Sequence, residues 1–273
     1  MTQHEIHTGF LQVQGAPLYY EVAGQGPAVL LFHAGIADNR MWDEQFSRLA
    51  QQYRTIRFDL RGFGQSIVPS GRFAPHEDPA ALLRSLGIEK VHVIAASYGA
   101  SVALDFTLMH PELVASLVLV APTVGGFAPS EEMITFWQQE EELLEAGDVV
   151  GATALNVHMW VDGPQRTPDQ VDASIRQRVY DMQYRAFTLP QPAAEAEAVE
   201  LDPPAIQRLQ EVRVPTLIIV GSVDLVVIQQ LAQQLKVQIA QAELRIVADV
   251  AHMVTMEQPE EALKLIHAFY EKQ

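Results

Sequence analysis

Short apolar runs alternate with longer segments of helical periodicity along most of the chain. This alternation is typical of strands joined by crossover helices in a mostly parallel sheet. Eight strands are predicted, at residues 10–13, 18–22, 28–32, 55–58, 91–96, 116–120, 215–220 and 244–247, the first two forming a hairpin. Helices are predicted at residues 42–51, 79–86, 98–109, 225–235 and 260–270. We therefore expect an α/β fold with an eight-stranded, mostly parallel, doubly wound sheet.

Residues 123–213, called the cap segment below, interrupt this alternation. They contain no convincing strand, but helices are predicted at residues 131–145, 149–157, 168–182 and 204–212. The short alanine and glutamate stretch at 193–198 fits either a surface helix or an irregular connection. We expect a helical cap, or lid, inserted after the sixth strand, with residues 1–122 and 214–273 forming the core.

Composition and charge narrow the classes of protein. The chain has 273 residues and no cysteine, which excludes disulfides, thiolate catalysis and thiolate metal sites. Its apolar runs are too short to span a bilayer, and the start lacks the features of a secretory signal, so a cytoplasmic protein is expected. The nine histidines are scattered without a metal-binding motif, and neither a metal nor a cofactor is expected.

The formal charge of −16 is unevenly distributed. The cap segment holds sixteen acidic residues, six arginines and no lysine, and therefore −10 of that charge. Such a surface repels phosphate backbones and anionic lipids, so neither nucleic acid nor a membrane is an expected partner. If the cap covers an active site, neutral or cationic substrates should be preferred over free carboxylates, and the preference should fade as salt rises.

Ser97 is the strongest candidate for a nucleophile. It follows a buried strand, has small residues on both sides and precedes a helix, with Ala95 two residues before it and Gly99 two residues after it. A nucleophile on a sharp strand-to-helix turn needs such neighbours, although glycine is more usual than alanine at the position of Ala95. The alternative is a serine that only caps the helix.

Two residues at later strand ends could activate this serine. Asp224 follows the strand at 215–220, and His252 follows the last strand, so the chain order is Ser, Asp, His. The carboxyl ends of parallel strands meet at one edge of a sheet, where a base and its orienting acid could assemble. Asp224 could instead cap the following helix, His252 could be a loop histidine, and Asp249 is a rival acid.

These motifs together resemble the α/β-hydrolase superfamily. The resemblance covers nearly all of the core, through residues 31–35 with 38–42, 58–66, 93–104, 214–224, and 252 with 257–261. It is similar in particular to the small cofactor-free serine hydrolases, which include esterases, enol-lactonases and perhydrolase-like members. The resemblance implies a catalytic triad of Ser97, Asp224 and His252. A serine rather than an aspartate at position 97 argues against the branches that use a carboxylate nucleophile.

The resemblance also implies an oxyanion hole and a pocket. The oxyanion donors would be the backbone N–H groups of Tyr98 and Gly35, although Ile36 could replace Gly35 because the loop departs from the usual pattern. His33 in the same loop is expected to be structural. The candidate pocket residues are apolar and come mostly from the cap segment: Ile36, Trp137, Met159, Trp160 and Phe187.

The predicted function is hydrolysis of a small or medium, largely apolar carboxylic ester or lactone through an acyl-enzyme intermediate. Two alternatives use the same triad. One is a ligand-sensing protein with slow turnover, and the other is a C–C hydrolase or lyase. The expected partner is the small-molecule substrate, and the sequence predicts no oligomeric state.

Overall fold

The computed structural model describes residues 5–190 and 196–272, and a central sheet of eight strands dominates it. The described strands, in chain order, are β1 (His7–Val13), β2 (Ala16–Ala23), β3 (Ala28–Phe32), β4 (Arg54–Phe58), β5 (Gly71–Phe73), β6 (Val91–Ala96), β7 (Val114–Val120), β8 (Ala196–Ala198), β9 (Thr216–Gly221) and β10 (Ala242–Val247). The order in the central sheet is β1-β2-β4-β3-β6-β7-β9-β10, and β5 pairs separately with β8. Strand β2 is antiparallel to β1 and to β4, and the other neighbours in the central sheet are parallel.

Burial explains why the central strands read as continuous apolar runs. Every residue of β3 and of β9 is buried, as expected for parallel strands covered on both faces. The edge strand β1 has no buried residue, and its burial alternates between exposed and intermediate along most of its length. The largest fully buried side chains include Trp42, Phe32, Phe58 and Phe106.

Nine α-helices lie in the described residues. They are α1 (Asp43–Leu49), α2 (Glu77–Ser85), α3 (Tyr98–Met109), α4 (Glu131–Glu145), α5 (Val149–Asn156), α6 (Ala173–Thr188), α7 (Val226–Gln238), α8 (Val254–Glu257) and α9 (Pro259–Tyr270). Helices α1, α2, α3, α7 and α9 correspond to the five helices predicted for the core. The eight-stranded, mostly parallel α/β fold is therefore confirmed. In the part of the chain that the structure describes, no helix is long and apolar enough to cross a membrane.

The cap segment lies between β7 and β9 and contains α4, α5 and α6. Its first predicted helix matches α4, whereas the stretch at 204–212 forms two short 3₁₀ turns, Ala205–Gln207 and Leu209–Glu211. Arg208 separates these turns, and its backbone angles of φ −119° and ψ 8° lie outside the α-helical region. Helix α5 contacts both α4 and α6. The assignment of residues 123–213 as a separate cap domain stays a prediction.

One strand in the cap segment was not predicted. Ala196–Ala198 pairs with Gly71–Phe73, so the expectation of no strand is wrong, as is the interpretation of residues 196–198 as a surface helix. Both strands have three residues, and a pairing of that length leaves almost no periodic signal in a sequence. The rest of the predicted stretch, residues 193–195, lies outside the described residues.

Candidate active site

Ser97 occupies a strained turn between β6 and α3. Its backbone angles are φ 52° and ψ −119°, a conformation that residues other than glycine rarely adopt. Gly99 is required two residues later because a Cβ atom there would overlap the carbonyl oxygen of His33 and lie 2.9 Å from the carbonyl carbon of Phe32. The Ser97 side chain makes no capping bond to α3, which argues against a purely capping role.

Ser97, His252 and Asp224 form one hydrogen-bonded chain. The Ser97 hydroxyl donates to His252 Nε2 at 2.7 Å. His252 Nδ1 donates to Asp224, whose carboxylate oxygens lie at 3.0 Å (Oδ2) and 3.2 Å (Oδ1). The Asp224 and His252 side chains are each 2% exposed, so water competes little for these bonds. The sheet brings the three residues together because β6, β9 and β10 run parallel and end at the same edge.

The geometry disfavours two alternatives, namely that Asp224 only caps the following helix and that Asp249 is the acid that orients His252. Asp224 Oδ1 accepts from the N–H of Leu225 at 2.7 Å, but the capping position of α7 is Leu225, which makes no side-chain cap. Asp249 is exposed, and its backbone N–H donates to Ser222 Oγ while its carbonyl accepts from Arg166. Its carboxylate makes no hydrogen bond within the described part of the chain. Asp224 is therefore the carboxylate that contacts the imidazole of His252.

His33 is buried in the loop after β3 and supports that loop. Its Nε2 accepts from the Leu60 N–H at 2.8 Å, and its Nδ1 donates to the Ala34 carbonyl at 2.8 Å. Burial lowers the pKa of His33 to about 4, so the ring stays neutral at pH 7. Both ring nitrogens are occupied by backbone groups, which matches the structural role expected of this residue.

Gly35, Ile36 and Tyr98 line the cavity beside Ser97, and the oxyanion donors are predicted to be among their backbone N–H groups. Within residues 5–190 and 196–272, none of the three donates to a protein acceptor. The two segments approach closely, since a Cβ at Gly35 would lie 3.2 Å from Tyr98 Cβ. This arrangement leaves at least two amide donors free to face an oxygen bound next to the serine.

A cavity of about 740 Å³ opens above Ser97 and His252. Four of the five predicted pocket residues line it, namely Ile36, Trp137, Trp160 and Phe187. Trp137 is 41% exposed and the Trp160 ring lies 4.6 Å from the His252 ring, centroid to centroid. The cavity is therefore wide enough for a small or medium organic substrate and has an aromatic wall next to the imidazole.

Met159 does not line this cavity, contrary to the prediction. It is partly buried against the hydrophobic core instead. The helix α5 continues into a π-helical turn, Val157–Asp162, and there Trp160 rather than Met159 is directed at His252. The turn ends at Gly163, where a Cβ would lie 2.8 Å from Ala251 Cβ, one residue before His252. Such turns are frequent at functional sites.

The prediction missed several lining residues. Helix α4 contributes Met133, Phe136 and Glu140 in addition to Trp137, with the spacing of one helix face. The helical spacing of Met133, Phe136 and Glu140 relative to Trp137 is visible in the sequence, and it predicts that all four residues share one face of α4. Glu140 accepts from Asn156 Nδ2, and burial raises the pKa of this carboxyl. Among the described residues, no three His, Asp or Glu side chains lie close enough together to hold a metal ion.

Comparison with protein families identifies the fold. Residues 27–259 match the family described as alpha/beta hydrolase fold. The chain belongs to that family. The match spans the elements that carry Ser97, Asp224 and His252, and it confirms the predicted superfamily and the expectation of a hydrolase enzyme.

The relatives within this alpha/beta hydrolase family differ in how much of the chain they share. The uncharacterized hydrolase YraK of Bacillus subtilis is 31% identical over 145 residues, a match that covers 51% of this chain and only 52% of that protein. 3-Oxoadipate enol-lactonase 1 of Acinetobacter baylyi is 28% identical over 272 residues, 97% of each chain. The crystal structure of the enol-lactonase from Burkholderia xenovorans has a TM-score of 0.78 at 19% identity and covers 96% of this chain and 100% of that one.

Proposed function

We propose that this alpha/beta hydrolase cleaves a carboxylic ester or lactone through an acyl-enzyme intermediate. The observation that carries the proposal is the hydrogen-bonded chain from Asp224 through His252 to Ser97, at the base of an apolar cavity. The full-length similarity to an enol-lactonase supports the same class of reaction.

In the first half of the reaction, Ser97 Oγ attacks the carbonyl carbon while His252 Nε2 takes the hydroxyl proton. The resulting imidazolium donates to Asp224, whose buried carboxylate offsets the new charge and fixes the ring. The tetrahedral oxygen accepts from the Tyr98 N–H and from the Gly35 or Ile36 N–H. The carbon–oxygen bond then breaks, and His252 returns its proton to the leaving alkoxide.

In the second half, water replaces the alcohol. His252 removes a proton from the water, which attacks the acyl carbon, and the same backbone donors hold the oxyanion. Collapse releases the carboxylic acid, and the proton on His252 returns to Ser97. When the substrate is a lactone, the alcohol and the acid are the two ends of one product.

The test is a fluorophosphonate probe followed by a panel of p-nitrophenyl esters and lactones. We expect the probe to label Ser97, detected by peptide mass spectrometry, and turnover above about 1 s⁻¹ on at least one ester. The variant Ser97→Ala should lower kcat on the order of 10⁴-fold or more. Ester hydrolysis by Ser97→Ala within tenfold of the parent would contradict the proposal.

The panel also separates the two alternatives. A ligand-sensing protein would be labelled at Ser97 but would turn over every ester slowly. A C–C hydrolase or lyase would be labelled too, but would leave the esters and lactones largely intact. Either result would replace the esterase and lactonase assignment.

A further inference from the structure

The residues that line the cavity favour a positively charged ligand. Seven aromatic side chains line the cavity: Phe63, Tyr98, Phe127, Phe136, Trp137, Trp160 and Phe187. Two carboxylates, Glu140 and Glu200, also line it, whereas the described lining contains no lysine and no arginine. Aromatic faces and carboxylates both attract a cation, and no fixed positive side chain in the lining offsets them.

Glu140 is the carboxylate best placed to meet a substrate. It lies on the cavity face of α4, one turn after Phe136 and three residues after Trp137. Asn156, which is 2% exposed, donates to Glu140 Oε1 and to the Ala152 carbonyl, and so fixes the carboxylate. Among residues 5–190 and 196–272, Glu140 forms no ion pair and its Oε2 accepts no hydrogen bond.

Glu200 is a weaker candidate because an arginine, Arg208, lies on its side of the cavity. It also lines a second, smaller cavity that contains Asp105. Burial and the nearby Glu200 raise the pKa of Asp105 to about 7, and Arg208 acts on the same group in the opposite direction. Arg208 therefore partly offsets the negative charge on that side, whereas no lysine or arginine of the described residues lines the cavity beside Glu140.

A row of aromatic rings connects Glu140 with the reacting groups. The Trp160 ring lies 4.6 Å from the His252 ring, and the Phe136 ring packs edge-on against Trp160 at 5.7 Å. Glu140 follows one helical turn beyond Phe136. A substrate whose carbonyl lies at Ser97 would therefore pass two aromatic rings before its far end reaches the carboxylate.

This placement points to a particular class of substrate. We propose that Glu140 and the aromatic rings beside it select esters that carry a cationic ammonium group at the end remote from the scissile carbonyl. The inference rests on the proposed ester hydrolysis. It goes beyond it by assigning the charge of the substrate and a specificity-determining residue, Glu140.

The test compares three p-nitrophenyl esters of matched length. They are the 7,7-dimethyloctanoate, which is neutral, the 6-(trimethylammonio)hexanoate, which is cationic, and the mono-heptanedioate, which is anionic. In the parent chain, kcat/KM should rank cationic above neutral above anionic, with about tenfold between the first two. In Glu140→Gln, the ratio of cationic to neutral kcat/KM should fall about tenfold. A ratio of two substrates does not depend on the fraction of active enzyme.

Glu141→Gln is the matched control. It removes the same charge from the neighbouring position of α4, but Glu141 is exposed and lies outside the cavity lining. We expect it to change the ratio less than twofold at 0.15 M salt, because a charge in water is strongly screened. Equal effects of Glu140→Gln and Glu141→Gln would show that only the overall charge of α4 matters, and would overturn the assignment to Glu140.

A second measurement uses the parent chain alone and covers the case in which Glu140→Gln fails to fold. Butyltrimethylammonium should competitively inhibit hydrolysis of the neutral ester, with an inhibition constant at least tenfold below that of its neutral isostere, 2,2-dimethylhexane. Absence of inhibition, or a cationic ester that is no better than the neutral one, overturns the inference. If none of the three esters is cleaved, the proposed function itself fails instead.

Discussion

Arg166 joins the cap segment to the loop that carries His252 and forms an ion pair with Glu257. Breaking this pair should strongly destabilise the protein. The five N–H donors of Arg166 all have acceptors. Nε donates to the Asp162 carbonyl, and the two terminal nitrogens donate to the carbonyls of Val161 and Asp249 and to both carboxylate oxygens of Glu257. The closest contact of the pair is 2.6 Å, and the two side chains are 9% and 8% exposed.

The magnitude follows from this burial. The variant Glu257→Gln keeps the shape of the side chain but leaves the guanidinium of Arg166 without its counter-charge. Breaking a buried pair on one side costs about 3 to 5 kcal/mol, because the remaining charge is neither solvated nor neutralised. For a chain of this size, 3 kcal/mol corresponds to a fall in Tm of about 6 to 12 °C.

The measurement is thermal unfolding followed by circular dichroism, with Glu260→Gln as the control. Glu260 pairs with Arg48 at the surface, where the two side chains are 75% and 39% exposed. An exposed pair contributes less than about 1 kcal/mol, so this control should shift Tm by no more than about 4 °C. If Glu257→Gln shifts Tm no more than Glu260→Gln does, the burial argument for the Arg166 pair is refuted.

Three other outcomes follow from the site and its supports. Gly99→Ala should lower the free energy of unfolding by more than about 2 kcal/mol in urea titrations, because its Cβ would overlap the backbone of the loop after β3. Asp224→Asn should lower kcat on the order of 10⁴-fold with little change in Tm, because the amide favours the wrong tautomer of His252. Burial lowers the pKa of His33 to about 4, so the unfolded chain binds a proton between pH 6.5 and pH 4 that the folded chain does not. The free energy of unfolding therefore decreases as the pH is lowered through this range. Burial raises the pKa of Asp59 to about 6, which acts in the opposite sense, so Asp59→Asn should steepen the loss of stability from pH 6 to pH 4.

Topology explains how much of the site the sequence could predict. The three candidate residues, Ser97, Asp224 and His252, are 28 or more residues apart in sequence. Each of them nevertheless follows a strand that the sequence predicts from an apolar run. Once the strands are assigned to one parallel sheet, their carboxyl ends must meet, and only the distances remain to be measured. The strands and the three candidate residues could therefore be predicted together, whereas the strand order was not predicted.

The cap segment was less predictable because its helices carry no such constraint. Helical periodicity gives the phase of a helix only while the helix stays regular. The π-helical turn at Val157–Asp162 changes that phase, so Trp160 faces the cavity while Met159, its neighbour, packs against the core. The pairing of Ala196–Ala198 with Gly71–Phe73 depends on how the cap segment returns to the core, which local sequence does not encode.

The acidic charge of the cap segment has two separable parts. Most of its carboxylates on α4, such as Glu131, Glu132 and Glu141, are exposed, and their field is screened within about 10 Å at 0.1 M salt. Glu140 belongs to the same acidic run but faces the cavity, where screening is weaker. The exposed carboxylates should therefore affect mainly the rate at which charged substrates arrive, and this effect should vanish as salt rises. A selectivity that persists at 0.5 M salt would have to come from groups that line the cavity, which include Glu140 and the aromatic rings beside it.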